Sequence, residues 1–68
     1  MYKEQDIVFL ETFDEGTFIV KILKSTETKY IWKHLTSTYD TQHFNKEFMK
    51  YFKTHKKIDI NDYKEYLL

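Results

Sequence analysis

Sixty-eight residues contain no cysteine. Whatever fold the chain takes must therefore be held by its core alone, with no disulfide and no thiolate-bound metal to staple it. A core in so short a chain has to be dense, because a small domain buries a smaller fraction of its surface than a large one. The sequence meets that demand with aromatics: 6 Phe, 6 Tyr and 1 Trp, 19% of all residues. Gly16 is the single glycine and there is no proline, which excludes P-loops, dinucleotide fingerprints, collagen repeats and flexible linkers. No apolar run approaches the ~20 residues of a membrane-spanning helix, and the opening Met1-Tyr2-Lys3-Glu4-Gln5-Asp6 does not read as a signal peptide. The expectation is one small domain over residues 1–68, cytoplasmic, with no membrane partner.

The first half patterns as strands. From Ile7 to Phe13, Ile7, Phe9, Glu11 and Phe13 share one face while Val8, Leu10 and Thr12 share the other. Asp14-Glu15-Gly16-Thr17 reads as a hairpin loop, with Gly16 supplying the positive φ such a loop needs. Thr17 to Lys24 is β-branched and aromatic. After the polar break Ser25-Thr26-Glu27-Thr28, the segment from Lys29 to Leu35 fits either a strand or a helix, since Ile31 and Leu35 also stand at i,i+4. Tyr30, Ile31 and Trp32 favour the strand.

The second half patterns as helix. Phe44, Phe48, Tyr51, Phe52 and His55 fall at i, i+4, i+7, i+8 and i+11, an apolar stripe on a 3.6-residue period. Lys46, Lys50, Lys53 and Lys57 form a basic stripe opposite it, and Phe48 at the stripe's centre is expected in the core. Asp59 or Asn61 would cap a last short helix carrying Tyr63, Tyr66 and Leu67. The expected fold is α+β: a three-stranded antiparallel β-meander, then an amphipathic α-helix and a short C-terminal helix. One helix covers one face of such a sheet. The apolar residues of the other face would then seek a second copy or another protein.

Little here suits catalysis. Ser25 and Ser37, the only serines, lie in polar connections and outside any Gly-x-Ser-x-Gly elbow. Asp40, His43 and Glu47, at i, i+3 and i+7, would share a helix face, yet no HExxH or paired Cys/His motif accompanies them. Neither an enzyme nor a metal or other cofactor is expected.

Charge is the more informative signal. The 11 bases, all lysine, balance 11 acids, but unevenly. Residues 1–28 carry six acids and three lysines, 29–57 seven lysines and two acids, and 58–68 three acids and one lysine. A basic middle segment suits an acidic partner surface or nucleic-acid phosphates. Trp32, Met49, Tyr63 and Tyr66 suit a protein interface, Met49 because it falls off the apolar stripe and the others as typical anchor residues. The expectation is a non-catalytic protein-binding module or homodimer, with Trp32, Lys46, Met49, Lys50, Lys53, Lys57, Tyr63 and Tyr66 at its partner surface. Lysine without arginine or alanine is what A/T-rich codons encode, and the hairpin-then-basic-helix layout resembles that of small phage or mobile-element proteins that bind and block a host protein. The alternative is a single-stranded nucleic-acid binder, stacking bases on Phe9, Phe18, Tyr30 and Trp32 while Lys21, Lys29, Lys33 and the lysine-rich helix follow phosphates. The absence of arginine and a pI of 6.8 count against it.

Overall fold

A computed structural model describes residues 2–38, 40–59 and 61–66, the last without its side chain. Five strands run in chain order: β1 (Ile7–Glu11), β2 (Thr17–Ser25), β3 (Lys29–His34), β4 (Thr41–Asn45) and β5 (Thr54–Ile58). A 3₁₀ helix, Lys46–Tyr51, joins β4 to β5, and a four-residue helix, α1 (Tyr63–Tyr66), follows. All pairings are antiparallel in the order β4-β3-β2-β1-β5, so β4 and β5 are the edges.

The strands form where alternation and β-branching require them. Directly opposed residues share a face, and the register sets Val8 against Val20, Leu10 against Phe18, Ile22 against Trp32 and Tyr30 against Phe44. These apolar pairs make the main core. Val8, Leu10, Val20, Ile22, Tyr30, Trp32 and Met49 are buried there, with Tyr2, Phe18, Phe44 and Phe52 packed against them. Burying each large side chain contributes about 1.5–3 kcal/mol, which is how so short a chain manages without staples. The register shifts between Ile22 and Lys24, so that Lys24 comes opposite Ile31.

The sheet curls around this face. The Tyr2 backbone N–H donates to the Tyr30 hydroxyl at 3.2 Å, and the Tyr2 hydroxyl lies 2.6 Å from His55 Nδ1. Tyr30 is on β3 and His55 on β5, three strand spacings apart, which would be about 14 Å in a flat sheet. The Tyr2 ring packs on both, with centroids 5.9 Å from Tyr30 and 5.8 Å from His55, so those two rings lie closer together than that flat spacing, as they do on the concave face of a sheet bent into a trough. Burial, then Tyr30, then Asp6 push the Tyr2 hydroxyl above its ordinary value of 10.0. On the outer, convex face Ile7, Ile19 and Ile58 form a second cluster, covered by Phe9, Leu35 and Tyr63. The Tyr63 hydroxyl donates to the Leu35 carbonyl at 3.2 Å, which ties the end of the chain across this cluster.

The expected meander plus amphipathic helix is thus corrected to a five-stranded antiparallel sheet. Residues 44–57 are the end of a strand, a 3₁₀ turn and another strand. The physical reason is twofold. Phe, Tyr, His, Thr and Asn are indifferent helix formers, and the three central strands expose sheet edges and an apolar face that two more strands and the buried Met49 satisfy together. Phe44, Phe48 and Phe52 do meet, at ring-centroid distances of 6.3 Å (44–48) and 5.4 Å (44–52), but across a strand–turn–strand corner. Phe48, expected at the centre of the core, is 42% exposed, and Met49, expected at the surface, is buried. The basic stripe dissolves with the helix that would have carried it: Lys46 and Lys50 are on the 3₁₀ turn, Lys53 in the loop after it and Lys57 on β5. No helix among the described residues is long and apolar enough to cross a membrane.

Candidate functional site

One end of the trough is open. Between the β1–β2 loop, β4 and the residue after the 3₁₀ turn lies a groove of about 500 Å³, floored by Leu10, Phe18, Trp32, Phe44 and Phe52 and edged by Thr12, Glu15, His34, Asp40, Thr41 and Gln42. A shallower depression of about 380 Å³ continues it outward, sharing Thr12, Glu15, Phe44 and Phe52 and adding Phe13, Asp14, Phe48 and Tyr51.

An unbroken series of aromatic contacts runs from the core out to this surface. Tyr30 stacks on Trp32 with centroids at 6.2 Å, Trp32 on Phe44 at 4.7 Å, Phe44 meets Phe48 edge-on at 6.3 Å, and Phe48 tilts against Tyr51 at 5.9 Å. Exposure climbs along the series, from 1% at Tyr30 and Trp32 to 42% at Phe48 and 64% at Tyr51. Phe13, 75% exposed, stands at the lip.

The lip is acidic and held in place. Thr12 folds the β1–β2 loop on itself: its N–H and hydroxyl both donate to the Gly16 carbonyl, and its hydroxyl accepts the Glu15 N–H at 2.8 Å. Glu15 is thereby fixed beside the groove, with Asp14 next to it. On the other side Asp40 accepts the Thr41 N–H at 2.9 Å through Oδ1. Gln42 Oε1 accepts from Trp32 Nε1 at 3.2 Å and lies 2.9 Å from His34 Nε2. The arrangement offers apolar contact with carboxylates at its margin. Asp40, His43 and Glu47 occupy a loop, a strand and the 3₁₀ turn in place of one helix face, and no group of three metal-ligating side chains occurs among the described residues.

The residues expected at a partner surface are dispersed. Trp32 is 1% exposed and contributes to the groove floor, and Met49, 4% exposed, is core. The Lys46 ammonium lies 4.8 Å from the Tyr30 ring centroid and that of Lys50 5.4 Å from Tyr51. Lys53 is exposed, and its backbone N–H donates to Glu11 at 2.7 Å. Lys57 pairs with Asp6 at 3.2 Å. Tyr63 is half-buried on the convex side, and the side chain of Tyr66 lies outside the described residues. The groove brings together Trp32 from that set with Phe13, Glu15, Asp40, Phe44, Phe48, Tyr51 and Phe52. Their sequence signal was the density of aromatics beside an acidic loop, but the intervening strand pairing that joins positions 12–16 to 40–52 leaves no local pattern.

The alternation of side chains also separates two groups that the nucleic-acid reading needs together. On β3, Tyr30 and Trp32 face the trough while Lys29 and Lys33 face outward. Lys21, opposite Lys33, is outward too. Comparisons with protein-family models, curated proteins and solved structures yield no match to this chain.

Proposed function

We propose that the chain is a non-catalytic protein-binding module whose groove receives an extended segment of a partner, with an apolar or aromatic anchor flanked by Lys or Arg. The observation that carries this reading is the gathering of Phe13, Phe48 and Tyr51, the exposed large aromatics among the described residues, around a single depression edged by Asp14 and Glu15. An exposed cluster of that kind marks an interaction site more often than an isolated exposed side chain does. Tyr and other aromatics supply binding energy when desolvated, and the carboxylates at the rim would steer and orient a basic segment. The partner chemistry that suits the groove is therefore basic and apolar, opposite to the acidic partner that the lysines suggest.

Stacking of nucleic-acid bases on the sheet is not favoured, because Tyr30 and Trp32 are buried and point away from Lys21, Lys29 and Lys33. The motive for a homodimer is also weaker than the sequence suggests, since the chain covers Ile7, Ile19 and Ile58 with its own Leu35 and Tyr63. A role in blocking a host protein would be one use of such a groove.

The test is selection from a displayed library of random dodecapeptides, followed by synthesis of the enriched sequences. Trp32, the single tryptophan, lines the groove and reports binding by its emission. The reading predicts enrichment of an aromatic or aliphatic anchor beside Lys or Arg, and loss of binding in Phe48→Ser/Tyr51→Ser and in Glu15→Lys/Asp40→Lys. Failure to enrich any motif, or binding that both double variants retain, would overturn it.

A further inference from the structure

The convex side of β2 and β3 carries a second surface of opposite character. The register places Lys21 directly opposite Lys33, and Lys24 opposite Ile31. Lys29 and Lys33 share the outward face of β3 with Ile31, and His43 of β4 lies across from Ile31. Directly opposed residues have Cα atoms about 4.5–5.5 Å apart, and residues four apart on a strand about 13 Å. Four lysines thus occupy one small patch. The Lys57–Asp6 ion pair lies away from them, on the far edge of the sheet. Like charges directly opposed on a strand pair destabilise it, so this face holds charge that the fold itself does not use.

We infer that the outward face of β2–β3 is a docking surface for the phosphate backbone of double-stranded nucleic acid, contacted without base reading. Charge complementarity selects a polyanion. An acidic protein fits less well, because interface centres are depleted in Lys and built on buried apolar residues, whereas here half-buried Ile31 sits amid lysines. A single strand fits less well, because its binders add aromatic platforms, the aromatics of β3 point the other way, and Phe9 and Tyr63 on the outward side are half-buried against Ile7, Ile19 and Ile58. A duplex offers about one charge per 1.7 Å and asks only for cations.

Fluorescence anisotropy of a labelled 20-base-pair duplex, its single strand and poly-glutamate, across 25–200 mM salt, tests this. With up to four phosphates neutralised at a slope of about −0.9 each, duplex affinity should fall roughly a hundredfold between 50 and 200 mM salt. Lys29→Gln/Lys33→Gln should reduce the slope by about 1.8, while Lys53→Gln/Lys64→Gln, an equal charge change elsewhere, should leave it near the parent value. Lys33→Glu should weaken duplex binding yet raise the melting midpoint by about 2–5 °C, because opposite charges then face each other across the strands. That pairing of lost binding with gained stability separates a binding role from a merely structural one. The inference is overturned by an absence of duplex binding at 25 mM salt, by equal losses in the two double variants, or by preference for the single strand or poly-glutamate. None of these variants touches the groove, so the result is independent of the peptide selection.

Discussion

The indole N–H of Trp32 ends on Oε1 of Gln42, its directly opposed neighbour on β4, at 3.2 Å. Because an indole N–H only donates, this contact settles which way the Gln42 amide is turned. The same oxygen lies 2.9 Å from His34 Nε2. An amide oxygen only accepts, so His34 carries its hydrogen on Nε2 there. One exposed glutamine on an edge strand therefore satisfies the polar atom of the most voluminous buried side chain and orients the histidine beside it.

Gln42→Met keeps the volume and removes the acceptor. The Trp32 donor, at the groove floor, would lose its partner, and the expected cost is about 1–2 kcal/mol. Urea unfolding followed by the emission of the single tryptophan measures this directly, and an unchanged midpoint would show that the contact contributes nothing net.

Phe48 and Met49 are neighbours with opposite burial, 42% and 4% exposed. Met49→Ala should cost about 2–5 kcal/mol, enough to unfold much of a chain whose total stability is of order 0.05–0.15 kcal/mol per residue. Phe48→Ala should cost under about 1 kcal/mol while weakening peptide binding in the groove. Parallel denaturation curves for the two variants test the placement of the 3₁₀ turn, since a helix through residues 44–57 would reverse the order.

That reversal marks where the sequence stopped being readable. Alternation over Ile7–Glu11 and Thr17–Ser25, with Gly16 between them, is a local signal, and the structure pairs those segments. Over residues 44–57 the aromatic spacing is compatible with two geometries. A helix brings Phe44, Phe48 and Phe52 onto one stripe, and a strand–turn–strand corner brings them around one pocket. Nothing local decides between them. The decision lies with β1 and β3, whose free edges accept β5 and β4. The groove shares this non-local origin: its two sides, residues 12–16 and 40–52, are 24 or more positions apart. The expectation that Trp32 matters to a partner surface had a visible cause, but its burial depends on Ile22 and Phe44, which only the register places beside it.

Asp6 joins the start of β1 to the edge strand, accepting the Lys3 N–H at 3.0 Å and pairing with Lys57 at 3.2 Å. Burial by itself would raise this carboxyl. The Lys3 N–H, the Lys57 hydrogen bond and the charges of Lys57 and Lys3 outweigh it, and the net shift is below the ordinary 3.8. A folded-state pKa below the unfolded one gives stability that is complete above the unfolded value and lost as the pH falls through the folded value. The protein should therefore lose stability below about pH 4, where Asp6 in the unfolded chain takes up its proton. Asp6→Asn should be less stable at neutral pH and show a shallower acid limb. Melting midpoints from pH 2 to 7 for both proteins test this, and superimposable acid limbs would remove Asp6 from the account.

Gly16 has φ +91°, and a Cβ built there meets nothing within 4 Å. Any penalty for a side chain at this position is therefore backbone strain alone. Gly16→Ala should destabilise by about 1 kcal/mol, a midpoint shift of about 4–8 °C for a chain of this size. Gly16→Asn should cost less, because asparagine tolerates the left-handed region better than other non-glycine residues. The loop does more than turn the chain. The Gly16 carbonyl accepts both Thr12 bonds, and Thr12 in turn accepts the Glu15 N–H. Straining Gly16 should consequently loosen Glu15 at the groove margin. Gly16→Ala is expected to weaken a basic peptide more than a neutral one of the same anchor, and a uniform loss for both would mean that the loop only shapes the groove and does not aim its charge.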